Sequence, residues 1–205
     1  MVHGYHVIMG AYGFWLPNDP RGSWSDFVGA WELVHFGRAT RSADRKAVLT
    51  DEEQELRRKA KLTLKRPPVR FTGIQARAVG RGFATSCRKS MFTIWACSIL
   101  SEHVHLVIAR HRYKVEQVVN LLKGQATRYL TKEGLHPQAL FARNGQRPPS
   151  PWARGHWKEY LDTEDAIENA IHYVEDNPVK EGKPVQRWRF VTPFSGLDHG
   201  VVSYH

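Results

Sequence analysis

Cysteine is scarce in this chain: Cys87 and Cys97 are the only two among 205 residues. They do not form a Cys-x-x-Cys pair, which excludes a thiolate zinc site or dithiol redox centre of the usual spacing and argues against disulfide support. Nowhere is there an apolar run long enough to span a bilayer. The opening stretch, Met1-Val2-His3-Gly4-Tyr5-His6-Val7-Ile8-Met9, has neither the basic region nor the long apolar segment of a signal peptide. The expectation is a cytoplasmic protein with no membrane partner. A Gly-x-Ser-x-Gly elbow is missing, which leaves a serine hydrolase with little support, and no phosphate-cradling loop argues for nucleotide hydrolysis. Internal repeats and low-complexity tracts are absent too.

Acidic residues are outnumbered, with 20 Asp and Glu against 30 Lys and Arg, for a net charge of +10 and a pI near 9.8. That balance favours a polyanionic partner, and nucleic acid is the default. Hydrophobic content of 41% is ordinary for a globular chain, and the length suits one core or one core plus an excursion. We expect one domain over residues 1–205, with an irregular basic insertion at about 16–67.

Residues 5–12 carry aromatic and β-branched side chains and read as an opening strand. Prolines and turn formers from Trp15 to Ser23 break it. Within the insertion one helix is expected at 51–61, with Thr50 as N-cap and Glu53 closing a capping box. Its basic residues include Arg38, Arg41, Arg45, Lys46, Arg57 and Lys61, a solvated face or a DNA-backbone contact. Apolar positions Ile74, Val79 and Phe83 space a helix over 72–88 opened by Thr72. Met91 to Ile99 reads as a strand joined by Ser101-Glu102 to a second strand at 103–108. Val115, Val118, Leu122, Ala126 and Leu130 then mark a helix ending near Gly134. A Pro- and Arg-rich loop at 136–151 leads to a strand at 156–161. The last helix, capped by Asp162 or Thr163, carries the stripe Ile167, Ile171 and Val174 and is expected to stop after Asn177 because Pro178 follows. The tail from Trp188 to Phe194 alternates weakly, as an edge segment would. This order predicts an α+β fold, a ferredoxin-like or RRM-like antiparallel sheet with helices packed on one face and an inserted segment after the first strand.

Within this frame one stretch carries chemistry. In Glu102-His103-Val104-His105-Leu106-Val107-Ile108 the alternation of a strand puts His103 and His105 on one face and Val104, Leu106 and Ile108 in the core. Tyr173 and Asn177, four apart, share a face of the last helix beside its apolar stripe. If that helix crosses the sheet, two imidazoles, an amide oxygen and a phenol meet. Two nitrogens and an oxygen suit Mg²⁺ or Mn²⁺ with positions left open for phosphate oxygens. A free phenol is only ~0.1% ionised at neutral pH, so attack on a phosphodiester would need a metal to polarise it.

His103-Val104-His105-Leu106, followed about 70 residues later by Tyr173-Val174-Glu175-Asp176-Asn177-Pro178-Val179-Lys180, resembles the single-tyrosine HUH transposases, specifically the REP-associated tyrosine transposase group. The resemblance covers roughly residues 5–15 and 68–182. It implies that His103 and His105 are metal ligands, Tyr173 the nucleophile, and Asn177 the third ligand. It further implies cleavage of single-stranded DNA next to hairpin sequences, with the 5′ end held as phosphotyrosine and a 3′ hydroxyl released. Glu102 stands where relatives often carry Asp or Asn, and its side chain is expected to face away from the histidines. Relatives include dimers that exchange the tyrosine helix and monomers, so monomer and homodimer both stay open.

For DNA contact the expected residues are Lys123, Arg128, Lys132, Arg154 and Lys180, with Trp157 as a stacking surface and Trp15 and Trp152 as further candidates. Neither Tyr129, on an apolar stripe, nor His172, turned about 100° from Tyr173, is expected to join the site. His3, His6, His35, His111, His136, His156, His199 and His205 form no convincing second metal set. The alternative to an active transposase is a host-retained hairpin-DNA-binding protein or repressor with vestigial catalysis.

Overall fold

The computed structural model describes residues 1–19, 28, 31–40 and 49–197. The end of the Trp15–Ser23 loop, Arg41, Arg45, Lys46, His199 and His205 lie outside the described residues. Along the chain run β1 (Gly4–Gly10), α1 (Asp51–Leu62), α2 (Gly73–Ser90), β2 (Ile94–Ile99), β3 (His103–Ala109), α3 (Val115–Lys132), β4 (Trp157–Leu161) and α4 (Glu164–Lys180), with short 3-10 turns at Trp31–Phe36 and Ala139–Phe141. The strands form one antiparallel sheet in the order β2-β3-β1-β4. This is the ferredoxin-like order read from the sequence, and it sets β3 and β1 side by side in the centre.

Local chemistry explains where the elements start. Thr50 accepts from the Glu53 backbone N–H at 3.3 Å while the Glu53 carboxylate accepts from the Thr50 N–H at 2.9 Å, the capping box expected for α1. Thr72 and Gln75 repeat the device at α2. The Thr163 hydroxyl accepts from the Ala166 N–H at 3.1 Å and so, of the two candidates, is the cap of α4. Met91 does not begin the second strand: it turns left-handed (φ 59°) to close α2, and the strand starts at Ile94.

The expectation of helices on one face does not hold. Val104, Leu106 and Ile108 enter a core with Val7 and Met9 of β1 and with Val79 and Phe83 of α2 and Val119 and Leu122 of α3. Helix α4 lies on the other face, where Ile167, Ala170 and Val174 bury Ala96, Val107 and Leu161. Both faces are therefore covered, and α4 takes the side that carries the histidines. Gly82 lets α2 and α3 approach closely, since a Cβ there would sit 2.6 Å from the backbone N and Cα of Ala126.

Pro178 does not end α4, which runs on to Lys180. Proline removes only its own N–H, and in the last turn the carbonyls of Asn177 and Pro178 still accept from the Glu181 N–H, each at 3.2 Å. The described part of the insertion has packing of its own. Leu16, Leu33 and Ala60 make a small core of their own, with Val28, Phe36 and Leu64 against it. Arg57, expected on a solvated face or in contact with a DNA backbone, instead holds the buried Asp19 carboxylate at 2.9 Å. Glu102 points away from the histidines, as expected, and its carboxylate meets Lys61 of α1 and Arg70, both at 3.6 Å, so the strand that opens the site is also tied to the insertion. The tail packs along β2: the Thr192 N–H donates to the Ile94 carbonyl at 2.9 Å, and the Gln186 carboxamide pairs with both the N–H and the carbonyl of Ile99 at 2.8 and 2.9 Å.

Candidate active site on the histidine face of the sheet

His103 opens β3 opposite Gly10, and His105 follows opposite Ile8 of β1 and Ser98 of β2. Being two apart they share the α4 side, with ring centroids 4.8 Å apart and edge to face. His105 is buried, and Phe14, at the start of the loop after β1, stacks on His103 at 4.5 Å. One end of the site is thus walled by an aromatic ring.

From above, α4 supplies one face with a period of four residues. The Tyr173 ring stands edge-on to the His105 ring at 5.6 Å, and it remains 41% exposed on its outer side. Two turns further on, the Glu181 carboxylate at the helix C-cap lies 3.9 Å from His103 Nε2. Asn177 falls midway along the same face, bracketed by these two contacts, and is buried. Its amide nitrogen is buried with no hydrogen-bond partner. Lys180 lays its ammonium 5.4 Å from the Tyr173 ring centroid and 3.7 Å from the Asp176 carboxylate. The structure therefore brings His103, His105 and Tyr173 into contact, and Asn177 lies one turn along the same helix from Tyr173.

Two neighbours were missed. Glu181 escaped because the helix was expected to stop at Pro178; with the helix continued, its position four after Asn177 places it on the site face. His6 was grouped with the unremarkable histidines, yet it is buried beside His105, its Nε2 3.2 Å from His105 Nδ1. Its ring also lies 5.6 Å from that of Tyr173. Alternation alone could put His6 on one side of β1, but which side, and next to which residue of β3, depends on a register that sequence does not print.

The residues expected to contact DNA divide. Lys180 belongs to the site, and Trp157 stands at its border with its ring edge-on to His6 at 5.1 Å. Arg154 is exposed on the loop before β4. Arg128 and Lys132 are exposed on α3, the layer across the sheet from Tyr173. Lys123 does not face outward: its ammonium donates to the carbonyls of Ala153 and Gly155 at 3.0 and 2.6 Å, and burial pulls its pKa down to about 8. Of the other tryptophans, Trp152 is core, packed on Phe71 with its indole N–H donating to Thr127 at 3.2 Å. Tyr129 hydrogen-bonds Thr85 at 2.8 Å between α2 and α3, and His172 is exposed, so both stay outside the site as expected.

The chain belongs to the family described as IS200-like transposases, whose profile matches residues 43–177 and so includes His103, His105, Tyr173 and Asn177. A protein of Haemophilus influenzae described as a candidate REP-associated tyrosine transposase is 28% identical over 125 residues, 58% of this chain. The match spans 66% of that relative, just under two thirds of its length. Among solved structures, a REP-associated tyrosine transposase bound to a REP hairpin aligns with 88% of this chain and 68% of its own at 13% identity and a TM-score of 0.45. A candidate transposase of Deinococcus radiodurans R1 aligns with 86% of this chain and 91% of its own at 10% identity and a TM-score of 0.39. The resemblance to REP-associated tyrosine transposases read from the sequence is borne out. Among the described residues no helix is long and apolar enough to cross a membrane.

Proposed function

We propose that this protein is a metal-dependent endonuclease and strand transferase for single-stranded DNA, acting beside hairpin sequences through a 5′-phosphotyrosine intermediate. The observation that carries the reading is the Tyr173 ring, 5.6 Å from His105 and on the helix face that also holds the buried Asn177. In this reading His103 and His105 offer imidazole nitrogens, and Asn177 an amide oxygen, to Mg²⁺ or Mn²⁺. The donor set fits such an ion. The two imidazoles leave room for a third, oxygen ligand. Asn177 supplies one: its amide nitrogen lacks a partner, and a half-turn of the amide exchanges nitrogen for oxygen.

When bound, the ion would polarise the scissile phosphate and stabilise charge on the departing oxygen. The chain does the rest. The exposed edge of Tyr173 admits a strand, and its Oη bonds to phosphorus as the bond from phosphorus to the 3′ oxygen breaks. The phenol gives up its proton, and the 3′ oxygen takes one to leave as a hydroxyl. Lys180 sets a positive charge beside the attacked phosphate. Because the phosphotyrosine ester conserves the bond, a second 3′ hydroxyl can reverse the step and join a new strand. We take residues 1–205 as one domain for this purpose, working in the cytoplasm as monomer or homodimer, with the +10 charge suited to a hairpin stem.

The test incubates the protein with labelled single-stranded hairpin DNA from beside its gene and Mn²⁺. A covalent, denaturation-resistant adduct is expected, lost on chelation and in Tyr173→Phe. Binding of that DNA with no adduct would replace this reading with a hairpin-binding repressor whose chemistry is vestigial.

A further inference from the structure

Side chains from three strands form a line on the tyrosine side of the sheet, two of them against Tyr173. His6 is paired with Glu159 of β4 in the sheet register, and its Nδ1 lies 3.8 Å from the Glu159 carboxylate. On its other side Nε2 is 3.2 Å from His105 Nδ1, with the two rings nearly parallel (22°) and their centroids 5.5 Å apart. His6 lies on β1, before the segment that the family profile matches.

We infer that His6 is a positioning residue that sets the tautomer of His105 and aims its Nε2 at the metal, an inference that rests on the metal reading above. The proton inventory allows one consistent arrangement. To ligate through Nε2, neutral His105 must carry its proton on Nδ1, and that N–H then donates to His6 Nε2. His6 must in turn keep Nε2 bare and carry its own proton on Nδ1, the nitrogen that faces Glu159. The carboxylate favours that placement because it draws an N–H toward itself. The line Glu159, His6, His105 therefore transmits a preference from an exposed carboxylate to a buried lone pair, and each neutral imidazole carries one proton throughout. A ligating histidine whose other nitrogen donates in this way is held in orientation and made a stronger base. At His103, Nε2 faces Glu181 and the ring stacks on Phe14.

Two measurements test this on the full chain. Histidine-selective ¹⁵N NMR of the metal-free protein reads which nitrogen of His105 is protonated, and calorimetry with Mn²⁺ alone reads affinity. Wild type is expected to show the Nδ1–H form of His105. His6→Phe should shift His105 toward Nε2–H and weaken Mn²⁺ by about 10- to 100-fold. His6→Gln, whose Oε1 can accept the same proton, should keep most of the affinity. Should His6→Phe fail to fold, Glu159→Ala at a 57% exposed side chain probes the same line, with a smaller shift in the same direction. The inference is overturned if His105 is Nε2–H in wild type, or if neither Glu159→Ala nor His6→Phe moves tautomer or affinity. If wild type binds no Mn²⁺ at all, the metal reading fails instead, and the NMR comparison still decides the role of His6.

Discussion

Replacing Asn177 by leucine should stabilise the protein without metal and weaken it with metal. The amide nitrogen of Asn177 is buried and has no hydrogen-bond partner. An unsatisfied buried polar group costs about 1–3 kcal/mol, and an apolar side chain of similar shape removes that cost. Asn177→Leu should therefore raise metal-free stability by about 1 kcal/mol after imperfect packing of the branched end, which is about 2–4 °C in Tm for a chain of this size. With Mn²⁺ at a hundred times its Kd, wild type gains about 2.7 kcal/mol, whereas a variant whose affinity has dropped tenfold gains about 1.4 kcal/mol or less at the same concentration. The two proteins exchange rank. Thermal melts with chelator and with increasing Mn²⁺ measure this directly. The reasoning is refuted if Asn177→Leu is the less stable protein in chelator by more than about 1 kcal/mol, or if it keeps the full Mn²⁺ gain.

Gly82→Ala should destabilise despite its better helix propensity, because a Cβ meets the Ala126 backbone at 2.6 Å; overpacking of about 1–3 kcal/mol exceeds the roughly 1 kcal/mol gained from removing glycine. A rise in the urea midpoint would contradict it. Lys123 has a pKa of about 8 in the fold against an ordinary 10.5. Between those values the unfolded chain binds the proton more tightly, so stability rises with pH from about 8 to about 10.5, and the wild type should gain on Lys123→Met across that window. Denaturant titrations along the window check it, and a flat difference would count against it. Burial pushes the Cys87 thiol up to about 11 and Cys97 well above its usual range. Neither should react with a thiol reagent at pH 8 until the protein is unfolded, which a colorimetric titration with and without denaturant reads.

The elements that carry the chemistry were also the most legible. The strand from His103 to Ile108 alternates, α4 repeats every three to four residues, and the Thr50–Glu53 box announces α1 before any fold is known. What failed to show was the third dimension. Val107, on the histidine side, follows Leu106 and precedes Ile108, and all three are fully buried. That unbroken run was the trace of a sheet covered twice, but a pattern identifies faces without saying which helix covers which. His6 was hidden for the same reason, since its importance comes from a diagonal across two strands 99 residues apart in sequence. Lys123 illustrates a different limit: a helical lysine between Leu122 and Gly124 reads as solvated until two carbonyls of a distant loop arrive above it. Pro178 shows that a residue rule carries a position: within the last turn, proline has few bonds left to break.

At the free edge of β2, the side chain of Gln186 does what a neighbouring strand would do. A carboxamide offers one donor and one acceptor with nearly the spacing of a peptide unit, and it uses both on Ile99. The sheet is thereby terminated by a side chain, with Thr192 closing the ladder at the other end of the strand through Ile94. An edge sealed in this way cannot template the addition of a foreign strand. Removing residues 186–194 would strip these contacts from the edge of β2 and also uncover the two cores that Trp188, Phe190 and Phe194 pack against.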